Sequence, residues 1–212
     1  NNPASVGVPW RDGIIALDTL GGNWTTFTNF PLTAAVDYKN NAVFVSYVEQ
    51  IASDAITATN MINFQDNVDR TAYSTASWTP VANKLYLAAV SSRFASAPTT
   101  PTFSGNGMTW DQVNSSVGIT NQAPNTRLTV FRAMSSSPTA GASTADFGAE
   151  TETTAFIQIV EFSGTDTSGT NGSGAIVQSN ATKGASDTTI VGTLAAFGDA
   201  TNNATYVAAG QQ

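Results

Sequence analysis

Leu128, Val130, Arg132 and Met134 fall on one side of an alternating run whose other side carries Thr129, Phe131 and Ala133. A period of two, with β-branched and aromatic residues throughout, is the pattern of a β-strand. The residues that follow, SSSPTAG at 135–141, break any regular element: Pro138 donates no ladder hydrogen bond, and Gly141 and the serines favour turns. An extended pattern resumes over 142–147. The stretch 127–148 therefore reads as two strands joined by a small-residue loop, either a hairpin or a crossover between sheets.

The same reading extends along the chain. Residues 14–20 form a strand stopped by Gly21 and Gly22, and WTTFTNF at 24–30 alternates strongly. After a turn at 37–41, AVFVSYVEQI at 42–51 is apolar on both faces, as in a central strand. Residues 53–70 fit strands at 54–57 and 61–64, or a short helix capped by Ser53, and we favour strands or loop. Extended segments follow at 72–78 and 84–91, with Pro80 as a stop and a surface loop at 95–100. Gly105-Asn106-Gly107 is the most explicit turn signal and predicts a tight hairpin flanked by Phe103, Met108, Trp110 and Val113. Residues 115–124 read as a loop. TTAFIQIVEFS at 153–163 predicts a second central strand. GTDTSGTNGSG at 164–174 lacks the apolar residues for a core and predicts a mobile or ligand-holding loop. Strands at 175–179, 188–194 and 204–209 close the chain.

Turn signals every ten to twenty residues, without sustained helical periodicity or an internal repeat, predict an all-β fold: an antiparallel β-sandwich, jelly-roll-like. Two prolines, two glycines and Trp10 in NNPASVGVPWRDG make residues 1–13 an extended N-terminal arm, which either docks on its own core or reaches a neighbouring subunit. A soft boundary at 67–71 divides residues 1–70, the arm and additional strands, from a sandwich domain at 71–212. The first residue is Asn1, with no charged-then-apolar leader after it, as expected of a processed product or of a piece of a larger one.

Composition narrows the function classes. Among 212 residues there is no cysteine and no histidine, which excludes disulfides, Ser-His-Asp and Cys-His nucleophile systems, and ordinary zinc sites. Charged residues make up 11%, and a net charge of -7 with eight scattered basic residues argues against binding a phosphate backbone. No run approaches the apolar length of a membrane-spanning helix. A polar surface of Ser, Thr, Asn, Gly and Ala suits crowded extracellular or assembled surfaces.

The succession TPVANKLYLAAVSS, PTFSGNGMTWDQV, RLTVFRAMSSSPTAGASTADFG, FIQIVEFSGTD and LAAFGDATNNATYVAAG resembles a β-sandwich module of tailed-bacteriophage virion proteins, also seen in bacterial surface proteins. The resemblance covers residues 71–210. It implies a non-enzymatic virion structural protein, a capsid decoration or tail surface protein displayed on the extracellular particle. Its implied partners are further copies of itself, as a trimer, and other virion proteins, with no nucleic acid and no membrane. In such modules more strand follows the last segment, which leaves open whether the sandwich is closed by its own residues or by a neighbour. Val8, Pro9 and Trp10 of the arm would then be the assembly contacts. The alternative is a carbohydrate-binding or adhesive module that contacts host surface glycans.

The residues offer candidates for three kinds of chemistry. Glycan contact needs an exposed aromatic beside Asn or Asp, for which Trp24 and Trp78 are the candidates, although tryptophans of a sandwich are mostly core. Glycoside hydrolysis needs two carboxylates in one cleft. Glu150 and Glu152, at i and i+2, can project from one face, and Glu161 sits in an apolar run; the plainer reading leaves the first two in solvent and Glu161 at a loop or on Arg132. Calcium is the one cofactor considered, at the oxygen-rich Asp66-Asn67-Val68-Asp69 or at Asp166 with Asn171, where Asx-turns account for the residues equally well. The expectation is no catalytic residue and no resident cofactor.

Overall fold

The computed structural model describes residues 30–33, 42–49, 55–118, 125–183, 189–196 and 203–210. Thirteen strands and one short 3-10 helix make up the described fold: β1 (Phe30–Thr33), β2 (Ala42–Glu49), β3 (Thr57–Asp66), β4 (Ala72–Ser74), β5 (Leu85–Phe94), β6 (Thr102–Gly105), β7 (Asp111–Gly118), β8 (Asn125–Ala133), β9 (Ser143–Asp146), β10 (Thr154–Ser163), β11 (Ile176–Lys183), β12 (Thr189–Gly192) and β13 (Asn203–Gly210). A five-stranded sheet, β3-β10-β5-β8-β7, is the centre; β11-β2-β13 and β4-β9-β6 form two three-stranded sheets, and β1 pairs with β12. Every pairing is antiparallel. The fold is the antiparallel all-β sandwich expected from the sequence, with the central sheet covered on both faces.

Alternation along the three inner strands builds the two cores. Leu85, Leu87 and Ala89 of β5, Leu128 and Val130 of β8, and Val160 and Phe162 of β10 share one face with Tyr206 and Ala208 of β13. The intervening Tyr86, Ala88 and Val90, Phe131 and Ala133, and Ala155, Ile157 and Ile159 pack on the other face with Tyr73, Trp78, Phe103, Ala145 and Phe147. An inner strand buried on both sides needs apolar residues at nearly every position, which is why LYLAAV and AFIQIV read as continuous runs. Phe103 stacks on Phe131 at 5.4 Å and meets Trp110 edge-on at 4.8 Å, within the range favoured by the ring quadrupoles.

Several local readings change. The expected strands at 54–57 and 61–64 are replaced, among the described residues, by the single strand β3 at 57–66, paired with β10; Ser53 and Asp54 lie outside them. Gly105-Asn106-Gly107 does turn, with φ of 119°, 60° and 62°, but it makes no hairpin. β6 pairs with β9 and β7 pairs with β8, so the turn carries the chain from the small outer sheet to the central one. The 135–141 loop is likewise a crossover, from β8 to β9. Ser115–Gly118, read as loop, belong to β7. Strands β1, β2 and β3 all pair with strands beyond residue 150, so the boundary drawn at residue 70 does not separate two sheets. Residues 164–174 are seated rather than loose: Gly172, at φ 81°, lies where a Cβ would come within 2.8 Å of Leu85, and Ala175 is fully buried.

Candidate functional site

Arg127, Glu150 and Glu152, with Asp66 and Arg70 nearby, gather at one end of the central sheet, where the apolar layer between β5, β8, β10 and the small outer sheet runs out. Ser92 of β5 stands opposite Arg127 of β8 on one side and Ala155 of β10 on the other. Immediately before β10, Arg70 and Glu152 form an isolated antiparallel bridge with backbone bonds of 2.9 and 3.1 Å, and the Tyr73 hydroxyl donates to the Glu152 carbonyl at 2.7 Å. These bonds turn the Glu152 side chain inward. It is 0% exposed.

Neither carboxyl oxygen of Glu152 has a partner within hydrogen-bond geometry, nor has the buried Ser92 hydroxyl, which lies beside it. Burial and the neighbouring Glu150, as acceptor and as like charge, push the Glu152 carboxyl up to about 9, against a small opposing pull from Ser92 and Arg127. Glu152 is therefore a neutral acid at physiological pH. For Glu150, burial acts to raise the pKa, but the neighbouring Glu152 carboxyl, Thr99 and Arg127 outweigh it and hold the carboxyl below its ordinary 4.5. The Thr99 N–H donates to Glu150 Oε1. Arg127 donates from Nε to the Pro98 carbonyl at 2.5 Å and from a terminal nitrogen to Ser115 Oγ at 3.0 Å. One neutral and one ionised carboxyl beside a guanidinium resemble an acid–base pair in charge. A general acid must reach its substrate, however, and Glu152 is sealed from solvent.

The other sequence candidates occupy different places. Trp78 is 7% exposed; its indole N–H donates to Ser143 Oγ at 3.1 Å and its ring lies 5.1 Å from that of Tyr86, so it offers no stacking face to a glycan. Trp110 and Tyr73 are buried too. Trp24, Val8, Pro9 and Trp10 lie outside the described residues. Glu161 takes the Tyr86 hydroxyl at 2.5 Å instead of Arg132, which pairs with Asp111 at 3.0 Å. Asp66 accepts from the Val68 N–H and from Arg70, and those bonds hold its pKa down; Asp166 accepts from the Ser168 N–H and hydroxyl. The Asp66 and Asp166 carboxyls, one in each calcium candidate, are thus engaged in Asx-turns. Among the described residues no group of three or more acidic or other metal-binding side chains converges on one point.

The sequence brought out Glu150 and Glu152 as a pair but not Arg127, Ser92 or Thr99, which join them only through sheet register and a loop. No family model, curated protein or solved structure matches the chain.

Proposed function

We propose that the chain is a non-enzymatic structural protein of a virion surface, a capsid decoration or tail protein of a bacteriophage that assembles with copies of itself. The observation that carries the non-enzymatic part is the enclosure of Glu152: of the carboxyl pair Glu150 and Glu152, the one that stays protonated is sealed from solvent and only the ionised Glu150 is partly exposed. A central sheet packed on both faces favours a rigid scaffold over a ligand cleft. The virion setting is supported by the resemblance of residues 71–210 to phage surface modules and by a surface poor in charge. Burial of Trp78 removes one of the two aromatic candidates from the adhesive alternative.

The test is the native mass of the full chain and of a version lacking residues 1–13, by light scattering. The reading expects the full chain to weigh a multiple of its 22.0 kDa monomer and the shortened one to fall apart to monomers. Two stable monomers, with specific binding on a glycan array, overturn it in favour of the adhesive module.

A further inference from the structure

The buried residues around Glu152 also fasten a loop. Residues 95–101 connect β5 of the central sheet to β6 of the outer one, and a single charge cluster ties them down. Arg127 holds the Pro98 carbonyl, Glu150 holds the Thr99 N–H, and Pro98 itself is buried against the sheet end. The third member of the cluster, Glu152, is fully enclosed with both oxygens unpartnered. We propose that Glu152, Glu150 and Arg127 form a proton-controlled latch on residues 95–101: the proton on Glu152 leaves Arg127 on Pro98, and its loss draws Arg127 to Glu152 and frees the loop.

Charge and geometry carry the argument. With Glu152 neutral, the anion of Glu150 and the cation of Arg127 balance. Removal of the proton leaves an enclosed anion with the neutral Ser92 hydroxyl as its neighbouring donor, a state that is strongly unfavourable until a cation reaches it. Arg127 is the cation placed to respond, because it lies directly opposite Ser92 in the β5–β8 register and so rises from the same sheet face. Its Nε serves either the Pro98 carbonyl or a carboxylate, not both in one geometry.

The surrounding groups do not take that part. Arg70, across the bridge from Glu152, is committed to Asp66 at 2.8 Å. Tyr73 of β4 spends its hydroxyl on the Val68 and Glu152 carbonyls; burial, with Asp66, Glu152 and Asp69 nearby, keeps it protonated up to about 12. Arg93 follows Ser92 on β5 and by alternation lies on the opposite face. Asp111 of β7 is bound to Arg132, Asp146 of β9 closes an Asx-turn onto Gly148, and Glu161 of β10 is bound to Tyr86.

The experiment compares the full chain with Glu152→Gln, whose amide can donate to Glu150 at any pH. Cleavage within residues 95–101 by a broad-specificity protease is measured at about pH 7 and about pH 10, and the ratio of wild type to variant cancels the enzyme's own pH dependence. The latch predicts that this ratio rises about tenfold between the two conditions, as expected when cleavage follows local opening. An unchanged ratio overturns it. Infrared difference spectra of the wild type supply a measurement that does not depend on the variant's folding. The latch requires a protonated-carboxyl band at about pH 7 that disappears in alkali. Absence of that band at neutral pH also overturns it.

Discussion

Tyr86 and Glu161 face each other in register across β5 and β10, and the phenol donates to the carboxylate at 2.5 Å. The same hydroxyl receives the Val81 N–H at 2.6 Å, so a fully buried ring ties the 79–84 turn to the central sheet. Burial and the bond to Glu161 both raise the Tyr86 pKa, since each disfavours the phenolate. Tyr86→Phe removes both contacts and leaves the Val81 N–H and a Glu161 oxygen without their partner. The expected loss is about 2 kcal/mol, because hydrogen bonds to charged groups are worth ~1.5–3. Urea denaturation should show a lower midpoint with an unchanged slope.

Glu152 gives stability a pH dependence whose sign follows from its raised folded-state pKa. The folded chain keeps the Glu152 proton up to about 9, whereas the unfolded chain loses it near its ordinary 4.5. Between those values the folded state binds more protons, so its advantage is full below the lower one and is lost as pH rises to the upper. Thermal unfolding across that window should show falling stability in the wild type and a flatter curve in Glu152→Gln.

Asn106 is buried at the crossover turn, where its amide donates to the Trp78 and Gly141 carbonyls and its oxygen accepts from Ser143. Asn106→Ala removes three hydrogen bonds together, leaving the Ser143 hydroxyl proton without its acceptor, and also puts a residue of poorer left-handed tolerance at φ 60°. A loss of about 3 kcal/mol is expected at roughly 1 per hydrogen bond, read from the shift in chemical denaturation. Gly105→Ala should be at least as damaging, since its Cβ would come within 2.3 Å of the Ala142 carbonyl oxygen.

The two cores can be probed separately with Leu87→Ala on one face of the central sheet and Ile157→Ala on the other. Both residues are essentially unexposed, at 0% and 1%. Each should cost about 2–5 kcal/mol, as for cavities of that size elsewhere. Asp111→Asn, at a partly exposed ion pair, should cost less than about 1 kcal/mol. Calorimetry of the three variants checks the order.

What the sequence reveals depends on how local the cause is. The face assignment of residues 128–134 holds residue by residue, because alternation is a property of the strand itself: Leu128 and Val130 go to one core, Phe131 and Ala133 to the other. The Gly105-Asn106-Gly107 turn was legible as a turn, yet the partner of β6 is β9, more than thirty residues on, and turn chemistry says nothing about that choice. β7, DQVNSSVG, looks like a loop because an edge strand tolerates polar residues on both faces. The second covering layer stayed hidden because β4, β6 and β9 are only three or four residues long. Glu150 and Glu152 share a tripeptide but not an environment, and what separates them is the Ser92–Arg127 register.

The placing of β2 between β11 and β13 has a consequence for how the molecule is made. A strand that emerges early from the ribosome finds both neighbours only after residues 176–183 and 203–210 have been synthesised. Its layer cannot be completed during translation, and pairings of such high sequence separation fold slowly. Until the final strand arrives, the nascent chain carries two open backbone edges on β2, and a growing polysome would hold many such edges close together.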